Sequence, residues 1–215
     1  MAKQLCAVCS KSIGMLTSRF STTDQQVICG KCCSKGNLQF KPYEHTLQEY
    51  HMHLKQVADG NRIYEALFKT RINLKQEEEG SPFKGLSKKN NSDETVKKFG
   101  SYNHCIWLVE DFGLILLKSI YGGVEKEENE RSLVFRYSEL ASYRLSAEYA
   151  TTNDERKTEY LYLTFNSPNV VNEISVQILG KDAYKIFDNY FAGIINGDKK
   201  QWDILADNAL AKVCY

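Results

Sequence analysis

No apolar run in this chain approaches the ~20 residues that a helix needs to span a bilayer. The longest, Cys105 to Val109 and Leu114 to Leu117, are short, and Met1-Ala2-Lys3-Gln4-Leu5 leads straight into a cysteine. The sequence therefore predicts neither a transmembrane helix nor a secretory leader. Catalytic frames are also missing: there is no nucleophile elbow, no phosphate-cradling glycine loop and no framed acid–base pair. Gly122-Gly123 reads as a turn, and the acidic run Glu125 to Glu130 lacks the alternation and glycine of a calcium loop. A non-enzymatic protein is the expectation. Nor is there a disulfide framework, since the seven cysteines are an odd count and four of them stand in metal-ligand spacing. That usage suits a reducing compartment and predicts a cytoplasmic location.

A large net charge is absent too, for the 215 residues carry only +1. The near balance hides a division. Residues 1 to 100 hold 16 Lys plus Arg against 10 Asp plus Glu, a net +6, while residues 101 to 215 hold 12 against 17, a net −5. The first 41 residues set Lys3, Lys11, Arg19, Lys31, Lys35 and Lys41 against Asp24 alone. Such a segment can meet nucleic acid, although the acidic second half opposes a role in coating a phosphate backbone.

The most specific pattern present is Cys6-Ala-Val-Cys9 answered by Cys29-Gly-Lys-Cys32, with nineteen residues between the pairs. Two CxxC knuckles at this separation can bring four thiolates to one tetrahedral zinc, and a closed shell of that kind is structural. Buried unpaired thiols or redox pairs are the competing reading. Cys33 adjoins Cys32 and could replace it, but the two-residue gap of the first knuckle favours Cys32. Gly14 and Gly30 beside the knuckles are either positive-φ positions or ordinary turn glycines. The short pieces Met15 to Thr22 and Gln26 to Ile28 predict a hairpin with little core of its own, so its folding should depend on the metal.

From Pro42 the apolar period becomes helical through Tyr43, Leu47, Tyr50, Leu54 and Val57, and it can continue after Asp59-Gly60 through Ile63, Tyr64, Leu67 and Phe68. One bent helix or two separate ones fit equally. His45, Glu49 and His53 fall on another face and read as solvated polar residues rather than a second metal site. Residues 76 to 98 are polar and charged, a flexible linker or insertion with Phe83 and Leu86 as anchors. Strand patterns follow at His104 to Val109, Leu114 to Ile120, Leu133 to Tyr137, Tyr143 to Tyr149, Tyr160 to Phe165 and Ile174 to Ile178. Linked in series, they predict an antiparallel sheet or partly closed barrel. A strong helix from Asp182 to Ile195 is expected to cover it with Ile186, Phe187, Tyr190 and Phe191, and a shorter helix capped by Asp198 follows.

Six strands and a closing helix are the element order of a pleckstrin-homology-like fold. Cys6-x2-Cys9-x3-Ile13-Gly14, Arg19, Asp24 and Cys29-x2-Cys32 resemble an uncharacterised family of Gram-positive bacterial and phage proteins with an N-terminal double-CxxC zinc domain. In that family a domain similar to PH and GRAM folds often follows, and Tyr137-Ser-Glu-Leu-Ala-Ser-Tyr143 resembles its central element. The resemblance covers about residues 5 to 40 and 95 to 196, and implies an α+β architecture. Residues 1–40 would be a zinc-ribbon-like module, 41–75 a helical connector, 76–98 a linker, 99–196 a PH-like antiparallel β-sandwich or barrel closed by a helix, and 197–215 a short C-terminal helix and tail. It supplies a fold and a zinc ion, not a mechanism.

The functional expectation is a cytosolic interaction protein that presents zinc-stabilised and PH-like surfaces to a protein partner, with a phage-encoded inhibitor of a host protein as one form of it. Thirteen tyrosines and ten phenylalanines suit such a surface, because they offer large area with a polar tip. The alternative is nucleic-acid binding through the basic zinc segment and Lys84, Lys88, Lys89, Lys97 and Lys98. Lipid recognition rests on fold analogy alone.

Overall fold

The computed structural model describes residues 4–73, 95–101, 104–121, 127–149, 157–178 and 183–213. The anticipated linker therefore lies almost wholly outside the described residues, as do Phe83, Leu86 and Cys214. Two short strands, β1 (Arg19–Ser21) and β2 (Val27–Cys29), pair antiparallel with Phe20 opposite Ile28. β1 is shorter than the piece Met15 to Thr22 that the sequence suggested, and β2 has the expected length one residue further on. A four-residue helical turn, α1 (Gly30–Cys33), follows directly.

The connector helix α2 (Leu47–Ile63) starts later than the proline predicts. Pro42–Glu44 form a separate 3-10 turn, and Thr46 caps α2 through a reciprocal box in which its hydroxyl accepts from the Glu49 amide while the Glu49 carboxylate accepts from the Thr46 amide. That box satisfies two of the orphan donors at the helix start, so Tyr43 stays outside the helix and exposed. The question of one helix or two resolves as one. A π-helical turn, Tyr64–Phe68, continues α2 without a break into residues 69–73.

Among the described residues, seven further strands follow. β3 (Val96–Ser101), β4 (His104–Val109), β5 (Leu114–Ile120) and β6 (Glu130–Arg136) form one antiparallel sheet in sequence order. β7 (Leu140–Tyr149), β8 (Lys157–Phe165) and β9 (Glu173–Ile178) form a second. The strands thus divide into two facing sheets rather than a closed barrel, with a bulge at Leu140/Ser142 where β7 begins. Ile106, Leu108, Ile115, Leu117, Leu133 and Phe135 on one side meet Leu161, Leu163, Phe165, Ile174 and Val176 on the other. Phe135 and Phe165 stack across this interface with centroids 4.0 Å apart.

Among the described residues two helices come after β9, α3 (Ala183–Asn196) and α4 (Lys199–Leu210), the latter capped by Asp198, whose carboxylate accepts from the amides of Lys200 and Gln201. Phe191 and Ile194 of α3 are buried in the inter-sheet core, with Phe191 against Phe99 and Tyr143. The expected burial of Ile186 and Phe187 lies outside the described side chains.

β5 is buried along its whole length, which alternation would not allow unless both sheet faces were covered. The second cover is helical. Leu114, Leu116, Trp107 and Val109 project from the four-stranded sheet onto Tyr64, Phe68 and Ile72 from the end of the connector helix and onto Ala206 and Ala209 of α4. Gly113 makes this approach possible: it holds φ 57° in the β4–β5 turn, and a Cβ there would sit 2.8 Å from the Trp202 carbonyl. Under the π-helical turn lies a buried ion pair, Lys118 Nζ to Glu130 Oε1 at 3.0 Å, with Lys118 also donating to the Tyr64 hydroxyl at 2.9 Å.

The N-terminal module shares the core. Cys6, Ile28, Cys29, Cys32, Phe40, Tyr50 and Val57 belong to the same buried cluster as the inter-sheet residues. Polar contacts reinforce the join: Asn37 Nδ2 donates to the Arg131 carbonyl at 2.9 Å, and the Gln39 side chain exchanges two hydrogen bonds with the Ser175 backbone. The cysteine-bearing module is therefore packed against the sheet body.

Candidate metal centre

The first knuckle is a tight loop closed by an isolated bridge between Leu5 and Ser12. The Ser10 amide donates to the Cys6 carbonyl at 2.8 Å, and Ser10 accepts φ 58° to complete the turn. The second knuckle begins at the end of β2 and runs into α1. The Ala7 amide donates to the Val27 carbonyl at 2.8 Å and the Cys29 amide to Cys6 Sγ at 3.3 Å, which fastens one knuckle to the other. Neither Gly14 nor Gly30 has a positive φ; Gly30 instead allows close passage of β1, because a Cβ there would lie 3.1 Å from the Ser18 Cβ.

This arrangement brings the Sγ atoms of Cys6, Cys9, Cys29 and Cys32 within 4.8 Å of one another. Among the described residues it is the one group of three or more such side chains so placed. Cys33 is not part of it. The α1 turn rotates adjacent residues by about 100°, and so carries only one of the pair inward. The 3.9 Å between the sulfurs of Cys9 and Cys29 matches the edge of a tetrahedron with Zn–S bonds of about 2.3 Å, for which geometry gives about 3.8 Å. The donor set therefore fits a four-thiolate zinc site, with bound metal contributing to folding and no open position for a substrate.

The electrostatics suit a cation. Burial opposes ionisation of Cys6, yet backbone amides of Cys29, Cys9 and Val8 aimed at its sulfur bring the thiol down to about 6. Cys32 is pushed the other way by burial and by the neighbouring thiols, so four thiolates together need a positive centre. Burial also raises the Cys33 thiol. The Tyr50 hydroxyl donates to the Cys32 carbonyl, tying α2 to the knuckle.

The second histidine-containing set behaves differently from the solvated face expected of it. His53 is wholly buried, stacked on Phe40 at 4.6 Å, and its Nε2 accepts from the Asn37 amide at 2.9 Å. Phe40 is itself stacked on His45 at 4.7 Å, so the three rings form a sandwich. Glu49 is occupied by the helix cap. These residues brace the module against the connector helix. His104, which has no spacing partner in the sequence, bonds Ser119 Oγ at 2.8 Å and lies 2.7 Å from Gln39 Nε2. Desolvation holds both His53 and His104 near a pKa of about 4.

A second feature has no local sequence signature. A cleft of about 740 Å³ opens between residues 39–45 and the outer face of the three-stranded sheet, lined by Lys41, Glu44, Arg144, Tyr162, Thr164 and Glu173 among others. The Arg144 guanidinium lies over the Tyr162 ring at 4.1 Å. Comparison of the chain with protein-family models, curated proteins and solved structures finds no match. What the resemblance to the Gram-positive family retains is the four-cysteine cluster. No helix among the described residues is long and apolar enough to cross a membrane.

Proposed function

We propose that this chain is a non-enzymatic cytoplasmic interaction protein in which a zinc-braced N-terminal module and a PH-like sandwich together offer a docking surface to a protein partner. The cleft carries this reading. Its walls come from both halves of the chain, and its floor presents arginine and tyrosine, the residue types that most often anchor protein interfaces. Arg144 stacked on Tyr162 presents its N–H edges to a carboxylate or carbonyl while its face is already held. Glu44 and Glu173 beside Lys41 give the cleft mixed charge, which suits a polypeptide better than a uniformly anionic ligand. The four-plus-three strand arrangement with α3 against the sheets supports the PH-like assignment.

The metal in this scheme is structural, since it holds residues 39–45 at the rim through α1 and α2. Host-protein inhibition by a phage product is one biological setting that such a module suits. The test is affinity purification from the native host with the parent chain and with an Arg144→Glu/Tyr162→Ala variant. A partner recovered with the parent and lost with the variant, at equal zinc content and melting temperature, supports the cleft. Equal recovery by both, or capture of nucleic acid that falls away steeply with salt, overturns it.

A further inference from the structure

Met15 and Leu16 are both fully exposed, the most exposed large apolar side chains among the described residues. They are the central pair of a turn closed by the Thr17 amide donating to the Gly14 carbonyl at 3.1 Å. The turn does not hang free. Ser18 at its base accepts from the Gly30 amide at 2.7 Å, next to Cys29 of the metal cluster, and Arg19 leads into β1 while donating to the Gln4 side chain at 3.2 Å. Two aliphatic side chains thus project from a braced convex tip.

The exposed charge of this module is almost all of one sign. Lys11, Arg19, Lys31 and Lys35 are all exposed on the same module, and Asp24 is the sole acid in residues 1–41. Asp24 is moreover turned toward α2, where its carboxylate accepts from the Thr22 hydroxyl and the Leu47 amide. We infer that the Met15–Leu16 tip inserts into the interface of an anionic bilayer, with the module's exposed lysines and arginine at the headgroups. A convex two-residue projection fits a deformable interface, whereas a folded partner would need a matching pocket for it. The module's exposed basic residues complement anionic headgroups, and apolar burial with electrostatic attraction is the combination that holds a peripheral protein at a membrane. Because the turn is already ordered, insertion costs little conformational entropy. This contact is separate from the cleft and stands or falls without it.

Co-sedimentation of the zinc-loaded full chain with phosphatidylcholine vesicles, with and without about 30% phosphatidylserine, tests the inference. The expected result is binding to the anionic vesicles alone, weakening several-fold between about 0.05 and 0.3 M salt as the charges are screened. Met15→Ser/Leu16→Ser should bind about tenfold more weakly or worse, because both apolar groups are lost from the interface. Lys31→Ala/Lys35→Ala should lose about tenfold and show a shallower salt dependence. Zinc content and melting temperature should stay at the parent values in both, since all four side chains are exposed. No binding by the parent overturns the inference. So does undiminished binding by Met15→Ser/Leu16→Ser, which would place the lipid contact elsewhere, or binding to soluble acidic polypeptide with none to vesicles.

Discussion

Replacing Gly60 with alanine, in the last turn of α2 before the helix continues through Tyr64–Phe68, should destabilise the protein, although the same change in an exposed helix interior stabilises it. The usual gain is about 1 kcal/mol, because glycine has more backbone freedom to lose. Here a Cβ would sit 2.2 Å from the Ser132 carbonyl oxygen and 2.7 Å from its carbon, atoms of β6 that cannot rotate away. The helix must retreat from the sheet. In doing so it strains two hydrogen bonds made by the next residue, Asn61 Nδ2 to the Glu130 carbonyl at 3.2 Å and the Ser132 amide to Asn61 Oδ1 at 2.8 Å. Overpacking of this kind costs about 1–3 kcal/mol and each weakened bond about 1. Against the propensity gain, the net loss is about 3 kcal/mol, or a melting temperature lower by roughly 6–12 °C in a chain of this size. Gly193 in α3 is the internal control, since a Cβ there meets nothing within 4 Å. Gly193→Ala should raise the melting temperature by about 2–4 °C. Calorimetry on both variants reads the two signs directly, and a Gly60→Ala protein as stable as the parent would refute the close packing of α2 on β6.

Metal analysis should find one zinc per chain, lost in Cys29→Ser and kept in Cys33→Ser; because the cysteines share the inter-sheet core, Cys29→Ser should lower the melting of the whole chain, and an unchanged sheet transition would contradict that shared core. Phe191→Ala should cost about 3–5 kcal/mol with zinc retained, since Phe191 fills the space between Phe99, Tyr143 and the sheets, and a smaller loss in denaturant unfolding would place α3 elsewhere. Lys118→Met leaves Glu130 buried without its cation and should cost about 3–5 kcal/mol, whereas Lys118→Met/Glu130→Leu should recover much of that; equal losses in thermal unfolding would contradict the pairing. His53 and His104 titrate near 4 when folded and near 6.5 when unfolded, so the unfolded chain binds more protons between those values. Their contribution, up to about 3 kcal/mol each, is complete above about pH 6.5 and lost as pH falls toward 4. Denaturant midpoints that stay level from pH 7 to pH 5 would show that these rings are not buried neutral.

Residue pattern alone determined the pieces with a strong local code. The bounds of β4 and β5 follow from apolar runs interrupted by Glu110-Asp111-Phe112-Gly113, the CxxC spacing names the four thiols that meet, and Asp198 marks the start of α4. The strand bounds and the cap depend on neighbours within a few residues, where steric and hydrogen-bonding preferences act directly, while the four thiols are marked by two local CxxC pairs with nineteen residues between them. Helical periodicity also showed that residues beyond Gly60 continue the apolar face of α2, but it could not show whether the backbone broke, because a π-helical turn preserves the stripe.

Tertiary structure decided everything that depends on what covers an apolar face. Periodicity reports that β5 and α2 each have a side to bury, not that they bury against one another, and so the second cover of the four-stranded sheet was hidden. The fate of His53 turned on Phe40, thirteen residues away, whose ring excludes the water that a polar face would otherwise keep. The partnership of Lys118 with Glu130 exists because the β5–β6 register sets Lys118 opposite Ser132 and Ile120 opposite Glu130. Arg144 and the rim at Lys41 lie about a hundred residues apart and line one cleft only because the cysteine-bearing segment folds onto the sheet body. Burial is a property of surfaces brought together, and long-range contact of that kind leaves no period in the sequence.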